Sequence, residues 1–177
     1  MRIETENLIL SIPSCEDGPQ YHQAVIETMD DFKQFPFTWP LFQRTPSLDI
    51  CNEYCCDAQI KASFFTLIPL KISLKSTNSV VGMIEVHGID WHNLTWEIGF
   101  WTSHSYQKQQ IMSEALSGFL NFMKNHYPEI TVVIGIEPSN QKAIKLASKV
   151  GFKWINTFTN KQRNNTVFEI YYFNSND

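Results

Sequence analysis

The chain has 177 residues, of which 43% are apolar and 14% aromatic. That is enough to bury a core without staples, and it excludes wholesale disorder. Fourteen basic residues against 18 acidic ones leave a net charge of −4, which excludes a globally basic nucleic-acid binder. The 7 Gly and 8 Pro exclude a collagen-like or linker-dominated chain. Apolar runs such as 130–136 fall far short of the roughly 20 residues that span a bilayer, and Met1-Arg2-Ile3-Glu4-Thr5-Glu6 has no apolar signal core. The expectation is a cytoplasmic protein, one domain over 1–177, with neither membrane nor nucleic acid as a partner.

In chain order, Leu8 to Ile12 is a short apolar strand closed by Pro13. Pro19 to Met29 reads as a helix, with Ser14 or Asp17 to cap it. Phe35-Pro36-Phe37-Thr38-Trp39-Pro40 holds two prolines among aromatics and reads as an apolar loop. Leu48 to Ala62 is a second helix, in which Cys51 and Cys55 share a face and read as small buried residues. Cys51, Cys55 and Cys56 lie far in sequence from any further ligand, so no metal is expected.

Phe64 to Ser73 is a strand in which Pro69 predicts an edge or a bulge. A turn at 76–79 returns it to a strand over Val80 to His87, giving a hairpin. Leu94 to Trp101 alternates, with Leu94, Trp96, Ile98 and Phe100 on one face and Thr95, Glu97 and Gly99 on the other. Gln110 to His126 has helical apolar spacing. Ile130 to Ile136 is a β-branched run, typical of a strand buried on both faces. Asn140 opens a helix that Gly151 stops, and 152–155 and 167–173 are two more strands. The order predicts an α/β fold, a mixed sheet with helices on both faces.

Two of these helices start at the carboxyl ends of strands, where free N–H groups and partial positive charge suit an anion at Gln107 to Met112. Here the residues resemble a family. Trp96-Glu97-Ile98-Gly99-Phe100-Trp101, then Tyr106-Gln107, then Ile111-Met112-Ser113-Glu114-Ala115 look like the acetyl-CoA-binding motif of the GNAT N-acetyltransferases. Glu137-Pro138-Ser139-Asn140, running on to Gly151-Phe152, resembles the next motif of that superfamily. Thr5 to Leu10 and the Trp-Pro loop are similar to its ribosomal-protein branch, the RimJ/RimL type.

The resemblance implies the GNAT acyl-CoA N-acyltransferase fold, its sheet splayed between the fourth and fifth of these strands so that the cofactor arm lies between them. It implies acetyl transfer from acetyl-CoA to a primary amine, a protein α-amino group or a small amine, by direct attack and without a metal. The alternative is a degenerate module that binds coenzyme A or a partner with little turnover. Cofactor contacts are expected at Ile98, Phe100, Trp101, Gln107, Lys108, Gln109, Gln110, Ile111, Met112, Asn140 and Lys142. Glu97 is the expected base, with Glu85 and His87 as alternates. Phe37, Trp39 and Trp91 are the expected acceptor-side residues, and the chain is expected as a monomer or a homodimer.

Two departures stand out. Gln110 occupies the place of a glycine whose lack of a side chain lets backbone amides converge on pyrophosphate, a loss that costs nothing if φ there is helix-compatible. Ala143 and Ala147 stand where relatives carry a Ser and a Tyr able to protonate the departing thiolate. Ser139 and Ser148 are the nearby hydroxyls.

Overall fold

The computed structural model describes residues 1–35, 45–161 and 165–175. Phe37 and Trp39 fall outside them. One eight-stranded sheet organises the chain, in the order β1-β2-β3-β4-β5-β6-β8-β7. Its strands are β1 (Arg2–Glu4), β2 (Leu8–Ser11), β3 (Ile68–Leu74), β4 (Val80–Asp90), β5 (Thr95–Thr102), β6 (Thr131–Ile136), β7 (Lys153–Asn160) and β8 (Thr166–Phe173). The helices are α1 (Gly18–Gln34), α2 (Leu48–Ser63), α3 (Ile111–His126) and α4 (Gln141–Lys149).

β1 is absent from the sequence reading, because three residues are too short to show a period. It is held from outside itself. The Glu114 carboxylate on α3 accepts from Thr5 Oγ1 at 2.5 Å, Asn7 N at 2.7 Å and Asn7 Nδ2 at 3.1 Å, which pins the β1–β2 turn to α3. That contact gives Thr5 and Asn7, quoted above as part of a motif, a physical task. Pro69 sits where expected. On β3, β2 pairs with Lys71 to Leu74 and not with Pro69, so β3 is locally an edge at Pro69 even though it is an interior strand further on.

The two faces of the sheet are covered differently. α3 lays Ile111, Ala115, Leu116, Phe119 and Met123 against Leu8, Leu70, Ile84, Trp96 and Ile98. On the other face α1 and α2 enclose Tyr21, Val25, Cys51, Cys55, Met83 and Trp101. This follows from β5 alternation, with Trp96 and Ile98 toward α3 and Trp101 toward α1. β6 corrects its expectation. Val132, Ile134 and Ile136 are buried, but the residues between them are only half-buried. α1 and α2 lie over β3, β4 and the Trp101 end of β5, so the second face of β6 has no full cover from them.

Cys51 and Cys55 are buried as expected, and burial pushes their thiols up to about 11 and about 12. The other two cysteines pair. A Cys15–Cys56 disulfide ties the 3₁₀ turn Cys15–Asp17 to α2. Sequence spacing could not show it, because the partners are 41 residues apart and meet only when α2 docks. Cys56→Ser is expected to lower the unfolding free energy by about 2–4 kcal/mol, the loop-closure scale for such a crosslink. Urea melts with and without reductant check this, since reduced wild type should match the variant. Among the described residues no helix is long and apolar enough to cross a membrane.

Candidate active site

β5 and β6 run parallel and pair only over Thr95 to Glu97 against Thr131 to Val133. Beyond Glu97 the two strands part. β5 continues beside β4 to Thr102, and β6 continues beside β8 to Ile136. The sheet therefore forks where the sequence reading expects its splay, and among the described residues β5 presents an unpaired backbone edge from Ile98 onward.

The opening leads into a cavity of about 420 Å³, within the usual range for small-molecule sites. Phe100, Trp101 and Thr102 end β5 at its floor, and Asn140, Lys142, Ala143, Leu146 and Lys149 line it from α4. The loop before α3 and that helix's first turn supply Tyr106, Gln107, Lys108, Gln110, Ile111, Met112 and Ser113. α1 adds Thr28, Asp31, Phe32 and Gln34, with Phe35 after it. Among the described residues, three lysines against one aspartate make the lining locally positive in a chain of net charge −4.

The loop conformation overturns the expectation of a helix-compatible φ at 110. Gln110 is left-handed, at φ 62° and ψ 4°, and caps α3 at its N-terminus. Lys108 is left-handed too, at φ 61°. The backbone thus keeps the form that a glycine would adopt without cost, and Gln110 holds it at a penalty on the order of 1 kcal/mol. Such alternating turns before a helix aim N–H groups at one point and suit an anion. Gln110→Gly is expected to raise the unfolding free energy by a few tenths to about 1 kcal/mol and to tighten acetyl-CoA binding. Denaturant melts and calorimetry read the two effects separately.

Several side chains take up places that the sequence reading missed. The Asp31 carboxylate on α1 accepts from Gln107 Nε2 at 2.8 Å and lies 2.9 Å from His104 Nδ1. Thr28 Oγ1 accepts from His104 N at 3.1 Å, and Glu27 accepts from Ser105 Oγ at 3.2 Å. α1 thereby fastens the loop that opens the cavity. No local pattern signals this, because Asp31 and Gln107 meet only through the fold. Gln109 turns away from the lining, its Nε2 donating to the Ser105 carbonyl at 3.0 Å. Asn140 caps α4, accepting from Ala143 N at 3.2 Å, and lines the cavity as well. Among the described residues, the cavity hydroxyls are those of Thr28, Thr102, Tyr106 and Ser113; Ser139 and Ser148 do not line it.

Glu97 stands at the fork itself, about 13 Å along β5 from Trp101 at roughly 3.3 Å per residue. Its side chain is 50% exposed and points to the α1/α2 side, where its Oε1 lies 3.6 Å from His87 Nε2. Burial alone would lower the His87 ring, but the Glu97 carboxylate beside it, with Glu85 behind, outweighs that and holds it above its ordinary value. Glu85 lies beneath α2, where its Oε2 accepts from Tyr54 Oη at 2.5 Å. Burial pushes its carboxyl up, against the lowering effect of Tyr54, His87 and Lys61. Ile98 is buried under α3, leaving its backbone rather than its side chain to the fork. Trp91 is not brought to the cavity. It packs edge-on against Phe65 and Trp96 at the β4–β5 turn, about 20 Å along β5 from the Trp101 end.

Among the described residues no group of three or more His, Cys, Asp or Glu could hold a metal.

A family model described as an acetyltransferase (GNAT) domain matches residues 7–153. No curated protein matches the chain. Among solved structures, a RimL ribosomal L7/L12 alpha-N-protein acetyltransferase in complex with coenzyme A is similar, at 18% identity and TM-score 0.86 over 100% of both chains. The microcin C7 self-immunity acetyltransferase MccE, in complex with acetyl-CoA and AMP, is 18% identical at TM-score 0.79, over 96% of this chain and 93% of that one. A Salmonella typhimurium acetyl transferase that modifies the N-terminal serine of ribosomal protein L7/L12 is 18% identical at TM-score 0.80 over 98% of each. At these identities the likeness is one of fold.

Proposed function

The chain belongs to the GNAT acetyltransferases, and from that premise we propose that it acts as one domain over 1–177, moving an acetyl group from acetyl-CoA to a protein N-terminal α-amino group. The observation that carries this is the fork. An unpaired β5 edge from Ile98 to Thr102 runs into a cavity whose far end holds a left-handed amide loop and lysines. The residues present fit the donor. The β5 edge can pair with the amides of the pantetheine arm, Phe100, Ile111, Met112 and Leu146 offer apolar contact, and the loop with Lys108 and Lys142 meets phosphate.

Acetyl-CoA supplies an activated thioester. The amine nitrogen forms a bond to the acetyl carbon, the C–S bond breaks with its electron pair on sulfur, and the amine gives up one proton. Glu97, half-exposed at the fork, takes that proton directly or through water. Glu85, buried and held by Tyr54, acts behind it on the electrostatics of the strand rather than at the reacting atoms. An α-amino group, with a pKa near 8, needs less help than a lysine near 10.4, which favours a protein N-terminus over a side chain. The structurally similar acetyltransferases that act on L7/L12 agree with that acceptor class. Phe37, Trp39 and Trp91 remain the proposed acceptor-side residues, and the cytoplasm the proposed compartment, where the reducing pool would hold Cys15 and Cys56 as thiols.

A second reading, binding without turnover, is favoured by Ala143 in the cavity, whose own side chain cannot protonate the thiolate. Calorimetry with acetyl-CoA followed by thiol release across peptide and small-amine acceptors separates the two. The proposal expects binding, with release fastest on a peptide bearing a free N-terminus. No detectable heat at millimolar acetyl-CoA would sink it, and binding without release on any acceptor would leave the second reading.

A further inference from the structure

We propose that the proton taken from the amine at Glu97 comes to rest on His87, which the β4 bulge places beside that carboxylate. The inference rests on the acetyl-transfer reading above and adds a second member to its proton path. The β4–β5 ladder pairs Val86 with Ile98 and then resumes at Gly88 with Glu97, which leaves His87 as the extra residue on β4. A bulge of this kind re-aims the side chain it carries. Here it aims His87 at Glu97, with Nε2 3.6 Å from Oε1, at the level where β5 pairs for the last time with β6.

The backbone opposite makes room for the contact. Gly88 pairs with Glu97, and a Cβ at Gly88 would lie 2.8 Å from Glu97 Cβ and 3.2 Å from Oε2. Any side chain there would displace the carboxylate. A glycine lets Glu97 lie across β4 toward the imidazole.

The charges that face His87 favour its protonated form. Glu97 faces it from β5. From its own strand come the Glu85 carboxylate, bound by Tyr54 of α2, and the Glu85 backbone carbonyl. Lys61 of α2 acts on Glu85 rather than directly on the ring. From β3, Pro69 opposite Glu85 is neutral, and Lys71 is engaged by Asp17. From α1, Tyr21 is a neutral phenol stacked on Tyr54. An imidazolium thus has two carboxylates and no neighbouring cation set directly against it among these groups.

The chemistry needs such a resting place. A carboxylate near pKa 4.3 is a weak holder for an amine's proton, and an imidazole near or above 6.5 is a better one. Glu97, once the 3.6 Å contact tightens to hydrogen-bond distance, passes the proton to the lone pair of the neutral ring and is ready for the next amine. The 36%-exposed His87 side chain then releases the proton to solvent, which restores the neutral ring. His87 touches neither the thioester nor the amine and acts through Glu97.

The test combines NMR titration of the His87 ring with the pH profile of kcat/KM on an acceptor peptide. In wild type the ring should titrate above free imidazole, and Glu97→Gln should bring that titration down. His87→Gln should lower kcat ten-fold or more at pH 7, leave KM for acetyl-CoA within two-fold, and remove from the rate profile the ionisation that NMR assigns to His87. A His87→Gln enzyme with wild-type kcat and profile, or a His87 titration that Glu97→Gln does not move, would overturn the proposal while acetyl transfer stands. A wild type that turns over no acceptor overturns both.

Discussion

Glu97→Gln is expected to slow acetyl transfer at neutral pH at least ten-fold, toward the roughly 10²–10⁴-fold range of general-base catalysis, while acetyl-CoA affinity stays near that of wild type. Gln keeps the shape of the side chain and its seat over Gly88, but cannot take a proton. The separation of rate from affinity follows from the geometry. Glu97 lies at the fork, whereas the cavity lining begins further along β5 at Phe100. Thiol release at saturating acceptor, set beside calorimetry of acetyl-CoA, reads the two quantities independently. An unchanged rate would remove Glu97 from the mechanism, and a parallel loss of affinity would show that it shapes the cofactor site instead.

Trp96→Ala is expected to cost about 3–5 kcal/mol, the usual scale for emptying a buried aromatic site. Total stabilities of roughly 5–15 kcal/mol make that a large fraction. Trp96 is fully buried and packs against Tyr127 at 5.1 Å, Trp91 at 5.4 Å and Phe65 at 6.2 Å between ring centroids. It also pairs with Val132 within the short ladder that joins β5 to β6, so its loss loosens the fork as well as the core. Trp96→Phe is the informative partner variant. Among the described residues the indole Nε1 has no hydrogen-bond partner. Removing it relieves a buried polar group and offsets part of the lost contact, on the order of 1–3 kcal/mol. Urea melts should rank wild type close to Trp96→Phe, with Trp96→Ala far below. Equal losses in the two variants would mean that the indole is engaged through its nitrogen.

The reading of β5 shows how far one-dimensional information reaches. Alternation placed Trp96 and Ile98 on one face and Glu97 on the other, because strand period is a local property. The same logic failed at β6, where a β-branched run reads as buried on both faces whatever the helices above it cover. Gln110 shows a different limit. Its residue type argues for a right-handed backbone, yet it adopts the left-handed one, because the chain must turn from the 3₁₀ segment His104–Tyr106 into α3. The Asp31–Gln107 contact and the Cys15–Cys56 pair were illegible for one reason: each joins positions that only the packing of α1 or α2 brings together.

What the residues determined alone was the order of elements from β2 onward, the motif spacing from Trp96 to Phe152, and through them the family and its donor. Periodicity, capping and turn chemistry act over a few residues and survive in any context. Tertiary structure decided where β5 leaves β6, which charges surround Glu97, and that the β4 bulge turns His87 toward it. Those depend on register between strands, and register is settled by all the packed faces together rather than by any one segment.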